Sequence, residues 1–250
     1  MTEIINSFIE LIIIVVSAFL LFVIAIWKRR SPARLREIPA LTQLYRTLGL
    51  SMEEGTRLHI SLGYGGLLDA HGGSALAGLA ALRHIAERTS VSDMPSVASA
   101  GDAALGLLAQ DTLQAGYQAA GAEDLYVPTA GRVTGFSPFG YAAGAMNISQ
   151  NENVSTNIMI GHFGPEAALL TEASDRENVP VIGASDELVG QAVLFAATQD
   201  ALIGEELFAT GAYLGAGATH LASLTVQDIL RWLVILVLLG GATAKFLGMS

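Results

Sequence analysis

The chain has 250 residues, of which 52% are hydrophobic and 14% charged, with a net charge of −10; this is too apolar for a wholly soluble protein. Cysteine is absent, which excludes disulfides, iron–sulfur clusters, Cys-ligated zinc and thiol nucleophiles. Lys28 and Lys245 are the only lysines and both flank apolar runs, so the region between them has no P-loop or Schiff-base lysine. That region is strongly acidic, and an acidic body repels the phosphates of a nucleic acid, which is excluded as a partner.

Leu11–Trp27 carries no charge and has about the length needed, with its flanks, to cross a bilayer core of roughly 30 Å. Acids (Glu3, Glu10) precede it and cations (Lys28, Arg29, Arg30, Arg34, Arg36) follow, the reverse of a cleaved signal peptide. The positive-inside rule then leads to an expected inner-membrane protein with the basic collar and the body in the cytoplasm and both termini outside. Ile229–Leu247 reads as a second span between Arg231 and Lys245, or else as a buried C-terminal helix. Trp27 and Trp232 fall at the body-facing ends of the two segments, as an aromatic belt at one membrane face requires. The expected organisation is an N-terminal anchor (1–30), a basic collar and linker (31–55), an α/β domain (56–224) and a C-terminal transmembrane helix (225–250).

Within the body, short apolar runs alternate with stretches of helical period. This predicts an α/β fold, a mostly parallel, Rossmann-like sheet of about five strands covered by helices. Leu58, Ile60 and Leu62 alternate with Arg57, His59 and Ser61 as a half-buried first strand, followed by a helix over 74–88. Pro95–Ser99 reads as strand and Asp102–Gly121 as helix; Arg132–Phe136 reads as strand, with a helix opening at Pro138 behind a capping Ser137. Val154–Ile160 suits a central strand and 165–177 a helix with Pro165 in its first position. Val179–Ile182 and a helix from Asp186 to Thr198 make the fifth unit, with Asp102 and Asp186 as expected N-caps. Leu207–Gly217 mixes small and aromatic residues and reads as a close-packed element. Parallel strands place Gly63, Gly101, Ser137, His162 and Ser185 along one rim, the expected ligand edge.

The segments ISLGYGG, ASAGDAALGLLAQDTLQAGY, FSPFGYAAGAM, GHFGPEAALL, GASDELVGQAVLFA and IGEELFATGAYLGAG, across roughly residues 55–235, resemble a family of bacterial membrane-anchored proteins defined by a domain of unknown function. The resemblance implies a bacterial protein with two flanking transmembrane helices. It implies no activity, substrate or catalytic residue.

Candidate site residues therefore rest on chemistry. Gly63-Tyr64-Gly65-Gly66 follows a strand, but Leu68 stands where GxGxxG needs its third glycine, so a tight loop accounts for it better than a dinucleotide site. Asp69, His71, Gly72 and Gly73 offer backbone N–H groups to an anion at the helix start. Gly161–Glu166 sets an imidazole at a strand end and a carboxylate in the next helical turn. His162 is then a general base or metal ligand, or else a loop-bonding residue beside a dipole-complementing Glu166. No second histidine is spaced for zinc. Asp102, Glu166 and Asp186 could join His162 around a hard cation, but capping already explains two of them. The candidate ligand-binding residues are Gly63, Gly65, Gly66, Asp102, His162, Glu166 and Asp186; no metal, cofactor or catalytic residue is assigned. Two functions remain open: a self-assembling, homo-oligomeric scaffold on the lipid bilayer, or a small-molecule or nucleotide binding domain or enzyme using the rim.

Overall fold

The structure, a computed structural model, describes residues 2–28, 35–199, 201–215 and 217–248. Arg29, Arg30 and Arg34 of the expected collar lie outside the described residues. The chain divides into two units, Met1–Leu35 with Ala216–Ser250, and Arg36–Gly215.

The first unit pairs two helices, α1 (Thr2–Lys28) and α9 (Ala218–Phe246), which pack on one another. Both are long and apolar enough to cross a membrane, over Glu10–Lys28 and Thr219–Phe246. Leu11, Phe19, Phe22, Trp27, Trp232 and Leu238 are exposed, an arrangement costly in water and favourable in lipid.

The second unit is the body. Its first half runs α2 (Pro39–Glu54), β1 (Arg57–Gly63), α3 (Gly72–Thr89), β2 (Val97–Ala100), α4 (Ala103–Ala119) and β3 (Gly131–Val133). Then come α5 (Pro138–Asn151), β4 (Val154–His162), α6 (Ala167–Arg176), β5 (Val181–Ser185), α7 (Leu188–Ala197) and α8 (Glu206–Tyr213). The five strands are all parallel in the order β3-β2-β1-β4-β5. Being covered on both faces, β1 and β4 are buried almost throughout, as central parallel strands are, so β1 is not the half-buried strand its alternation suggested and His59 and Ser61 are buried as well.

Strand alternation sorts the core into two layers. Leu58, Ile60 and Leu62 join Leu82 and Ile85 of α3, Leu105 and Leu113 of α4, and Leu41, Leu44 and Leu48 of α2. On the other side Met159 and Phe163 meet Tyr141 of α5, Leu170 of α6 and Leu194 of α7. Each fully buried Leu or Phe contributes about 1.5–3 kcal/mol.

Several local expectations change. The stretch expected as linker contains α2, whose buried residues at 40, 41, 44, 48 and 51 follow helical period. Pro39 starts that helix, and Gly55, at φ +63°, ends it. The third strand stops at Val133, because Gly135 is pressed against the backbone of Gly140 and the chain turns there into α5. Helix α6 opens at Ala167 instead of Pro165, since Pro165 and Glu166 form a turn closed by Ala167 N on Gly164 O and by the Glu166 side chain on Gly164 N. Asp102 and Ser137 are N-caps as expected, accepting from Leu105 N at 2.9 Å and Gly140 N at 3.2 Å. Asp186 is not a cap: Glu187 occupies that position of α7, and the Asp186 carboxylate turns toward two histidines. Helix α8 buries Leu207, Ala209, Thr210, Gly211 and Ala212 and packs on α3, as its small residues suggested.

Candidate functional site

The chain winds outward from β1 through β2 to β3, then returns to place β4 on the other side of β1. Such a reversal opens a crevice beyond the C-terminal strand ends. Here the flanking residues are Gly63 at the end of β1 and His162 at the end of β4. Ser61 pairs with Met159 but Gly63 with His162, so β4 carries an extra residue at this point. A bulge of this kind re-aims the side chain beyond it, and only glycine allows it. A Cβ on Gly161 would lie 2.0 Å from Leu62 O, and Gly63 has φ +80°.

His162 is consequently held at the rim with its side chain only 6% exposed. Its Nδ1 lies 2.6 Å from Asp186 Oδ1 and its Nε2 3.1 Å from the Tyr64 hydroxyl. Glu187 Oε2 stands 3.6 Å from the same Nε2. A carboxylate can only accept, so Nδ1 carries the proton toward Asp186 and, in the neutral ring, Nε2 accepts from Tyr64. The Tyr64 hydroxyl keeps its proton. Burial, followed by the charges of Glu166, Glu187 and Asp186, raises its pKa above the usual tyrosine value.

His71 completes the group. Its ring stacks on that of His162 with centroids 3.5 Å apart and planes 24° apart, and its Nδ1 lies 3.2 Å from Asp186 Oδ2. One carboxylate thus faces two imidazoles. The loop presenting His71 is fixed by Asp69, whose carboxylate accepts from Gly66 N and His71 N, each at 2.8 Å. These backbone donors, His71 N above all, hold the Asp69 carboxyl below its ordinary range. Gly65 is required for the stack, because a Cβ there would fall 2.6 Å from His162 Cβ and 3.1 Å from His71 Cβ.

Asp186 is held by Ser185, whose Oγ donates to Phe163 O at 2.8 Å and accepts from Phe163 N and Glu187 N. That clamp joins the ends of β4 and β5. Glu166 is wholly buried behind it. Its Oε1 accepts from Gly164 N at 2.7 Å, while Oε2 is buried without a hydrogen-bond partner.

Of the sequence candidates, Gly63, Gly65, His162 and Asp186 meet at the crevice, and Glu166 lies behind Gly164. Gly66 and Asp102 lie across the same loop, with a Cβ on Gly66 placed 3.8 Å from Asp102 Cγ. The anion reading of Gly72 and Gly73 is weakened by the surrounding carboxylates and by the bond from Gly72 N to Asp69 O. His71, Tyr64 and Glu187 were missed as site side chains. His71 is the second histidine that sequence spacing did not offer, since it reaches His162 only through the β1–β4 pairing.

A family described as a domain of unknown function, DUF6754, matches residues 2–250. The chain belongs to the DUF6754 family. No curated protein and no solved structure matches the chain. The DUF6754 match covers both long terminal helices as well as the α/β body.

Proposed function

We propose that this chain is a membrane-anchored α/β protein of a bacterial cell membrane, its body facing the cytoplasm, which binds a small polar molecule at the β1–β4 crevice. The observation that carries this reading is the His162 group. A buried imidazole at the switch point is bracketed by Asp186, Tyr64, Glu187 and His71, and convergent polar groups at such a crevice mark a ligand site. The two apolar helices support anchoring, and the cations following Leu11–Trp27 support the orientation. The test is thermal unfolding of the detergent-solubilised full chain against a panel of nucleotides, amines and carboxylic acids, repeated on His162→Ala. A ligand-dependent rise in Tm lost in the variant is expected; a rise that survives it sinks the reading.

A second reading, a self-assembling scaffold, is favoured by α7. Leu188, Val189 and Phe195 point outward from that helix. Beside it lies a cleft of about 530 Å³ lined by Ala168, Thr171, Glu172, Asp175, Val193, Ala196 and Ala197. That face lacks the buried titratable cluster of the rim, but it suits a second copy of the chain. A monomer mass over a wide concentration range in mild detergent would remove this reading.

A further inference from the structure

The rim gathers the carboxylates of Asp69, Asp102, Asp186 and Glu187, with Glu166 buried behind them, while four arginines of the body are engaged elsewhere. Arg57 and Arg132 pair with Glu152, Arg83 with Glu87, and Arg176 with Glu172. A ligand entering this field is favoured if it is a cation or is held through one. We propose that His71, His162 and Asp186 bind one divalent first-row transition-metal ion of the Zn²⁺ class. The inference rests on the rim being a ligand site and identifies its primary ligand.

Geometry carries it first. One donor atom from each of the three residues falls within 4.8 Å of the others. Both Nδ1 atoms face the two oxygens of a single carboxylate, at 2.6 and 3.2 Å. An ion here takes the place of the Nδ1 protons that now bridge to Asp186, and each neutral imidazole then carries its proton on Nε2. Two imidazoles and one carboxylate select a borderline ion such as Zn²⁺, Fe²⁺ or Co²⁺; Mg²⁺ and Ca²⁺ prefer oxygen throughout. Three protein ligands also leave a position open to water or a further molecule.

The surroundings provide the outer support such a site needs. A metal-bound histidine donates its other ring N–H to a carboxylate or similar acceptor. With the proton on Nε2, His162 donates to the Tyr64 hydroxyl oxygen at 3.1 Å, reversing the direction of that bond in the metal-free ring, and the Glu187 carboxylate stands 3.6 Å away as a nearby negative charge. An independent observation is Glu166, wholly buried with Oε2 unpartnered. That oxygen and Glu187 Oε2 both lie within 3.0 Å of the point where a Cβ on Gly164 would stand. The charges of these two carboxylates also act on Tyr64, so they add to the negative field in which the His162 imidazole sits.

The experiment titrates Co²⁺ into the full chain, purified in detergent with chelator and then freed of it, and follows the visible absorption of the bound ion. Wild type is expected to bind one Co²⁺, displaced by Zn²⁺. His71→Ala, in a partly exposed loop, and the isosteric Asp186→Asn are each expected to weaken binding by about tenfold or more, with metal-free unfolding showing both variants folded. Absence of a Co²⁺ band in wild type, or equal binding in wild type and both folded variants, overturns the proposal. If a small molecule still raises Tm in wild type and not in His162→Ala while no Co²⁺ binds, the metal inference fails and the ligand reading stands.

Discussion

His162 Nδ1 and Asp186 Oδ1 stand 2.6 Å apart where β4 and β5 end, so one hydrogen bond orients the imidazole and ties two strand ends together. Hydrogen bonds to a charged group contribute about 1.5–3 kcal/mol, more than neutral ones. Asp186→Ala is therefore expected to lower unfolding free energy by about 1–3 kcal/mol in urea. Combined with His162→Ala, the losses should fall short of additive by about 0.5–3 kcal/mol. Strict additivity would show that the two side chains do not act as a pair.

Gly65→Ala separates the site from the fold. Its added methyl meets the Cβ atoms of His162 and His71, both side-chain atoms at the rim, so the stacked imidazoles must part while the sheet beneath is untouched. Overpacking of this kind costs about 1–3 kcal/mol. The variant is expected to fold, with unchanged far-UV circular dichroism, but to lose the ligand-dependent rise in Tm. Full retention of that response would place the binding group elsewhere.

A pH dependence follows from a different histidine. His59 lies within β1, wholly buried, with Nε2 2.8 Å from Ser99 Oγ. Burial pushes its pKa down to about 3. The unfolded chain takes up this proton near pH 6.5 and the native protein does not, so stability falls as pH drops below 6.5 and continues to fall toward 3. Between pH 7 and pH 5 this single group should remove about 2 kcal/mol. Denaturation at the two pH values is expected to show a smaller drop in His59→Gln than in wild type, and equal drops would contradict the assignment.

Much of the fold was legible because parallel strands buried on both faces leave apolar runs, as in the Ile158–Ile160 end of Val154–Ile160, and because Asp102 and Ser137 carry capping chemistry at the right offsets. Strand order was not legible. Nothing local tells that β4 returns to the side of β1, and that return alone brings His71, in the loop after β1, onto His162. Asp186 illustrates the same limit: an aspartate before a helix reads as a cap, and only the Ser185 clamp frees its carboxylate for the histidines. Helix α2 was legible too, since Leu41, Leu44 and Leu48 fall at helical spacing between Pro39 and Gly55, and the linker reading passed over that period.

Cations cluster from Lys28 to Arg36, directly after the first apolar segment, and Trp27 and Trp232 both lie at the body-facing ends of their segments. Retained cations fix orientation, and tryptophans at one interface place both body-facing ends at the same membrane face. The expected arrangement therefore has the body in the cytoplasm and the N-terminus outside. Because the chain has no cysteine, Thr2→Cys and Glu123→Cys each introduce a unique label site. A membrane-impermeant maleimide is expected to label position 2 in intact spheroplasts and position 123 only after permeabilisation. The reverse pattern inverts the topology, and recovery of the unlabelled protein from the soluble fraction after carbonate extraction removes the anchoring itself.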